Sequence, residues 1–106
     1  MASDQKTVDY LTEQMTGAGD IRSRKMFGEY VIYCDDKVVA LVCDNQLFFK
    51  VTEPGRAIVK DPVLGPPYPG AKDSFVINQA DWENADYLSR LARVTADALP
   101  QPKKKS

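Results

Sequence analysis

Between residues 25 and 51 the chain consists of three runs of β-branched and aromatic residues, 25–34, 37–43 and 46–51, parted only by Asp35-Asp36 and Asp44-Asn45. Such runs favour extended backbone, and a two-residue connection can join neighbouring strands only in antiparallel order. Asp and Asn suit these positions because they tolerate the left-handed backbone that tight hairpins demand. An antiparallel meander is therefore expected at the centre of the fold. With a two-residue loop at Asp35-Asp36, Cys34 faces Lys37 and Cys43 faces Gly28. The two thiols then stand roughly 20 Å apart at ~3.4 Å per residue, beyond the ~7 Å Cα limit of a disulfide. The same unbroken register puts Val31, Tyr33, Val38, Ala40 and Val42 on one face with Leu47, Phe49 and Val51. Tyr30, Ile32, Val39, Leu41, Cys43 and Phe48 take the other, with Lys50 among them. Both faces are apolar.

Flanking patterns supply the covering elements. Ser3 is a candidate N-cap for a helix over residues 4–16, in which Val8, Leu11 and Met15 repeat at helical spacing before Gly17 and Gly19 stop it. Thr52 caps a short helix over 56–60, with Pro54 in its opening turn and Pro62 beyond its end. Residues 61–70 hold four of the seven prolines and are read as extended, with at most a short strand near Tyr68. A strand at 74–78 follows. Asp81 is the expected cap of the last helix, whose stripe of Ala85, Leu88, Ala92, Thr95 and Leu99 runs to Pro100. The expected class is α+β, two layers on an antiparallel sheet, in the order α-β(3)-α-β(2)-α. Residues 1–100 form one domain in this reading, and 101–106 a disordered basic tail. Three helices, one very short, are too few to cover five strands on both sides. A partner chain, most simply a second copy, then supplies the remaining cover, unless helices pack on both faces or a three-residue loop at Asp44–Gln46 flips the third strand and mixes the faces.

Composition narrows the chemistry. The 106 residues include no histidine, which removes the commonest general base and the commonest metal ligand. Among 14 cationic residues three are Lys103, Lys104 and Lys105, so the remaining 11 stand against 15 carboxylates, a net of −4 for the body. An acidic body is a poor match for phosphate neutralisation; the exception is the run Arg22-Ser23-Arg24-Lys25, which with the lysine tail forms the candidate nucleic-acid contact. No stretch approaches the ~20 apolar residues of a membrane helix, and the opening residues lack a secretory pattern, so the cytoplasm is the expected location. Cys34 and Cys43 lack a histidine partner and read as small hydrophobes. Asp35-Asp36 and Asp44 read as turn residues, Gly17-Ala18-Gly19 as a helix stop and Trp82 as a buried aromatic at a helix start. Pro66-Pro67-Tyr68-Pro69 carries a P-x-x-P spacing but is read as a stiff loop with Tyr68 packed down. No cofactor or metal is expected.

The segment Arg24-Lys25-Met26-Phe27-Gly28-Glu29-Tyr30-Val31-Ile32-Tyr33, with Lys37-Val38-Val39-Ala40-Leu41-Val42-Cys43 and Leu47-Phe48-Phe49-Lys50-Val51 after it, resembles the N-terminal domain of the TfoX/Sxy family. Pro66-Pro67-Tyr68-Pro69-Gly70-Ala71-Lys72 is similar to a loop in one branch of that family. The resemblance covers about residues 4–99. It implies a two-layer fold similar to type III secretion chaperones, and a theme of bacterial competence and transcription regulation without catalytic residues. A non-enzymatic regulatory or adaptor module acting by protein–protein contact is the expectation. Candidate partner-binding residues are Arg22, Arg24, Lys25, Met26, Phe27 and Gly28; the candidate sheet-face interface is Tyr30, Ile32, Leu41 and Phe48. Direct nucleic-acid binding through Arg22, Arg24, Lys25 and the tail is the alternative. A further alternative is a ligand-binding or enzymatic pocket near Tyr68, with Cys34 or Cys43.

Overall fold

The computed structural model describes residues 4–26, 29–59 and 62–99. In chain order these form α1 (Gln5–Gln14), β1 (Ile21–Met26), β2 (Glu29–Cys34), β3 (Lys37–Cys43), β4 (Gln46–Phe49), α2 (Glu53–Ile58), β5 (Leu64–Gly65), β6 (Ser74–Ile77) and α3 (Ala85–Ala98). The strands make one antiparallel sheet in the order β1-β2-β3-β4-β6-β5. The α+β class and the two-layer plan agree with expectation. One strand was not expected: the run read as a single strand over 25–34 is divided between the end of β1 and β2, and β1 pairs with β2 over its whole length. Phe27 and Gly28, Ser3, Pro100 and the lysine tail lie outside the described residues.

Both acidic turns behave as their composition demands. Asp35, Asp36, Asp44 and Asn45 have φ of 51°, 69°, 52° and 55°, the left-handed backbone of two-residue loops that match the twist of the strands. Cys34 faces Lys37 and Cys43 faces Gln46. The ladder between β2 and β3 is not continuous, however. Ile32 faces Ala40 while Tyr33 faces Val38, so Val39 has no opposite number and forms a β-bulge. Side chains of Val39 and Ala40 consequently both enter the core, and each is fully buried.

Beyond the bulge the faces exchange. Tyr30, Ile32, Val42, Leu47, Phe49, Phe75 and Ile77 share the core with Val8 and Leu11 of α1, Met15 just after it, and Leu88, Leu91, Ala92 and Ala96 of α3. Leu41, Cys43 and Phe48 lie on the outer face, opposite Val31 and Val76 in the ladders. The expected grouping of Tyr30 and Ile32 with Leu41 and Phe48 is corrected accordingly. A one-residue slip in register reverses every side chain past it, and nothing local in the sequence marks Val39 as the extra residue.

The helices also differ in their caps. Thr52 caps α2 as expected, its hydroxyl accepting from Gly55 N at 3.0 Å. Asn84, not Asp81, caps α3: its side-chain oxygen accepts from Tyr87 N at 3.0 Å, while Asp81 ends a separate 3₁₀ turn capped by Asn78. Trp82 is buried between them, and its indole N–H donates to the Ile77 carbonyl at 3.2 Å. The short strand of the proline-rich segment lies at Leu64–Gly65, ahead of Tyr68.

Arg93 fastens three parts of the chain. From α3 its guanidinium donates to the Ala18 carbonyl at 2.7 Å, to Asp35 at 2.8 Å in the first hairpin turn, and to Asp97 at 2.7 Å. Asp35 also accepts the Asp20 N–H at 2.9 Å. Gly19 makes this approach feasible, since a Cβ there would stand 2.8 Å from the Asp35 carboxylate and its φ is +145°. The Asp20 N–H and then Arg93 hold the Asp35 carboxyl below the usual aspartate range.

Two stability measurements follow. Asp36→Gly relieves a left-handed aspartate that lacks the bonds of Asp35, and raises unfolding free energy by about 1 kcal/mol in urea titration. Arg93→Met lowers it by about 1–2 kcal/mol at neutral pH. Because the folded pKa of Asp35 is depressed, this stabilisation is complete above the ordinary aspartate range and lost as pH falls through the lower, folded value. The gap between wild type and Arg93→Met therefore narrows in acid.

Candidate functional site

The helices cover one face of the sheet, and residues 66–73 lie against the other. This proline-rich segment cannot continue a helix, and it crosses the outer face as a strap that turns at Tyr68–Ala71, where the Ala71 N–H donates to the Tyr68 carbonyl at 3.1 Å and Gly70 has φ +87°. Beneath and beside it Phe48 is 5% exposed, Cys43 6% and Val31 9%, without any helix on that side. Part of the cover expected from a second chain is thus provided by the chain itself.

The strap leaves an open groove between itself and β1. Its volume is about 490 Å³, and Met26, Val31, Leu41, Cys43, Pro67 and Tyr68 line it together with Glu29 and Tyr30. A second cleft of about 450 Å³ continues past Leu41 and Tyr68 toward Lys50, Val51 and Lys72. Met26 and Tyr68 are 42% and 56% exposed, a large apolar area to leave in water on so small a protein. Polar groups stand around this floor rather than in it. Glu29 accepts the Asp44 N–H at 3.1 Å, and Lys50 lines the second cleft.

The residues singled out in the sequence divide between three places. Arg22, Arg24, Lys25 and Met26 are all exposed on β1, an outermost strand of the sheet. Alternation places Arg22, Arg24 and Met26 on the outer face, opposite Tyr33, Val31 and Glu29, while Ile21 packs toward the helices. Leu41 and Phe48 belong to the outer face as well. Tyr30 and Ile32 do not: Ile32 is fully buried in the core, and the Tyr30 hydroxyl donates to Gln5 Oε1 of α1 at 3.0 Å. Phe27 and Gly28 lie outside the described residues. Pro67 and Tyr68, named in the sequence as part of a stiff proline-rich loop beside a candidate pocket, both line the groove.

Cysteine chemistry is disfavoured in both positions. The thiols are free and buried. Burial, with a smaller push from Glu29, raises Cys43 to about 11, and burial likewise raises Cys34, which sits on the core side with Sγ 3.8 Å from the Ala18 carbonyl. A thiol so protonated at neutral pH is a poor nucleophile. Cys34 does not reach the groove, which separates two groups that the pocket reading near Tyr68 had combined. Among the described residues no cluster of three metal-ligating side chains occurs, and no helix is long and apolar enough to cross a membrane.

The chain is thus a small antiparallel α+β unit with an apolar groove on the outer face of its sheet. Residues 13–99 match the TfoX N-terminal domain, and the chain belongs to that family. Over 103 residues it is 43% identical to a protein of Spirochaeta aurantia described as an uncharacterized 12.7 kDa protein in the trpE 5′ region, spanning 97% of this chain and 89% of that one. It is also 30% identical over 97 residues to Protein Sxy of Escherichia coli K12, covering 86% of this chain but 46% of Sxy. The family resemblance read from residues 24–51 is thereby established.

Both thiols react slowly in the folded protein. Ellman's reagent at neutral pH modifies each at least about tenfold more slowly than in denaturant, and the Cys43 rate climbs with pH without a plateau below about pH 9. One rapid thiol in the native state contradicts this assignment.

Proposed function

We propose that this chain is a non-enzymatic regulatory or adaptor module that acts by binding another protein through the outer face of its sheet. One observation carries the reading: an apolar groove floored by Val31 and Leu41 stays open beside the strap, with Met26 and Tyr68 exposed on its walls. Side chains of this kind gain most when a partner removes them from water, and charged residues at the rim select among partners without a catalyst. Membership in a family of regulators supports the same reading. Since this chain spans less than half the length of Sxy, the activity of that longer protein is not carried over; what is proposed is contact, not a particular promoter.

The experiment is affinity capture from cells of the native host with wild type, Leu41→Asp and Leu41→Met, each checked for folding by circular dichroism. At least one protein retained by wild type is lost with Leu41→Asp and kept with Leu41→Met. Identical captured sets for all three refute the groove as the docking surface. Sedimentation at micromolar concentration shows in parallel whether a second copy occupies it, in which case Leu41→Asp converts a dimer to monomer.

A further inference from the structure

Resting on the interaction reading above, we propose that the outer edge of β1 adds an extended, acidic segment of the partner protein as a seventh strand. That segment carries carboxylates at two alternate positions and an apolar side chain at the next alternate position. β1 closes one end of the sheet. All six of its residues pair with β2 in unbroken register, and among the described residues no strand lies on its other side. Every second residue therefore turns its N–H and C=O outward, a template for strand addition. β5, at the far end, is only two residues long and offers no equivalent.

Alternation sets what the added strand must carry. Arg22, Arg24 and Met26 share the outer face, and Met26 opens directly onto the groove with Val31 and Leu41. A strand laid beside β1 brings its alternate side chains next to these three in turn. Carboxylates answer Arg22 and Arg24. An apolar side chain beside Met26 enters the groove. Arg22 has one exposed contact, to Asp20 at 3.0 Å, and among the described residues Arg24 and Lys25 have no ion-pair partner.

Charge decides between the occupants. Two copies meeting edge to edge would set Arg22, Arg24 and Lys25 against the same cations, and like charges across a strand pair destabilise it. The cations thus guard the edge against self-pairing while favouring an acidic strand. Duplex nucleic acid fits less well, because Asp20 precedes the cations and Glu29 stands opposite Met26, in a body whose net charge is negative.

The test uses the full chain and fluorescein-labelled synthetic peptides with an apolar-x-Glu-x-Glu core, in both chain directions, read by anisotropy at low salt. The better peptide binds at least about tenfold tighter than a scramble of equal composition. Arg24→Glu loses about tenfold and Arg24→Lys retains most of the affinity. N-methylation of that peptide at alternate amides separates strand addition from charge attraction: one of the two methylated isomers loses binding and the other keeps it. Equal behaviour of the two isomers overturns the proposal. So does displacement of the peptide by a short DNA duplex that binds more tightly, or the absence of peptide binding altogether. If host-protein capture through Leu41 persists while no peptide binds, the edge proposal fails and the broader reading stands.

Discussion

Val39 has no partner across the ladder, and the two sides of this protein follow from that single unpaired residue. Every strand of the meander is apolar on both faces, so hydrophobic pattern alone does not say which face takes the helices. The bulge turns two consecutive residues of β3 inward and aligns Tyr30, Ile32, Val42, Leu47 and Phe49 beneath α1 and α3. Without it the larger aromatic and aliphatic residues of β2 and β4 would fall on opposite sides of the sheet, and no one layer of helices could bury both.

The opposite face inherits the remainder. Val31, Leu41, Cys43 and Phe48 are too apolar for water, and no helix is left to shelter them. The strap of residues 66–73 does part of this work with prolines, which lose little conformational freedom on packing because their backbone is already restrained. Its coverage ends short of β1. The groove at Met26 and Tyr68 exists because one stiff segment cannot span six twisted strands, and the exposed cations of β1 happen to border the gap. Fold and candidate function are in this sense the same problem: what covers the second face.

Electrostatics is subordinate to this arrangement except at one corner. Arg93 ties α3 to the first hairpin turn and to the turn after α1, through three oxygen acceptors on separate segments. Lys37 closes the same corner by donating to the Ala96 carbonyl at 2.8 Å near the C-terminus of α3, where a cation is favoured. Cys34 sits beneath these bonds as packing. The outer-face charges of β1, by contrast, are exposed and weakly engaged, and hold little of the domain together.

Much was legible in the residues alone, because it depended on neighbours in the chain. The hairpin turns were visible in Asp35-Asp36 and Asp44-Asn45, whose side chains tolerate left-handed backbone, and the Thr52 cap and, in Leu88, Ala92 and Thr95, part of the buried stripe of α3 were visible in spacing. The family was visible in the run from Arg24 to Val51. The bulge at Val39 and the extra strand β1 were not, since each arises where distant segments compete for the same hydrogen bonds or the same buried volume; the Asn84 cap is a local bond to Tyr87 N, but Asp81 is an equally good capping residue in the sequence. Arg22, Arg24 and Lys25 could be marked as cations from composition, but that they lie on an open sheet edge depends on which strand ends the sheet. Likewise Leu41 and Phe48 could be marked as apolar, yet their parting from Tyr30 and Ile32 required a register that only packing against α1 and α3 selects.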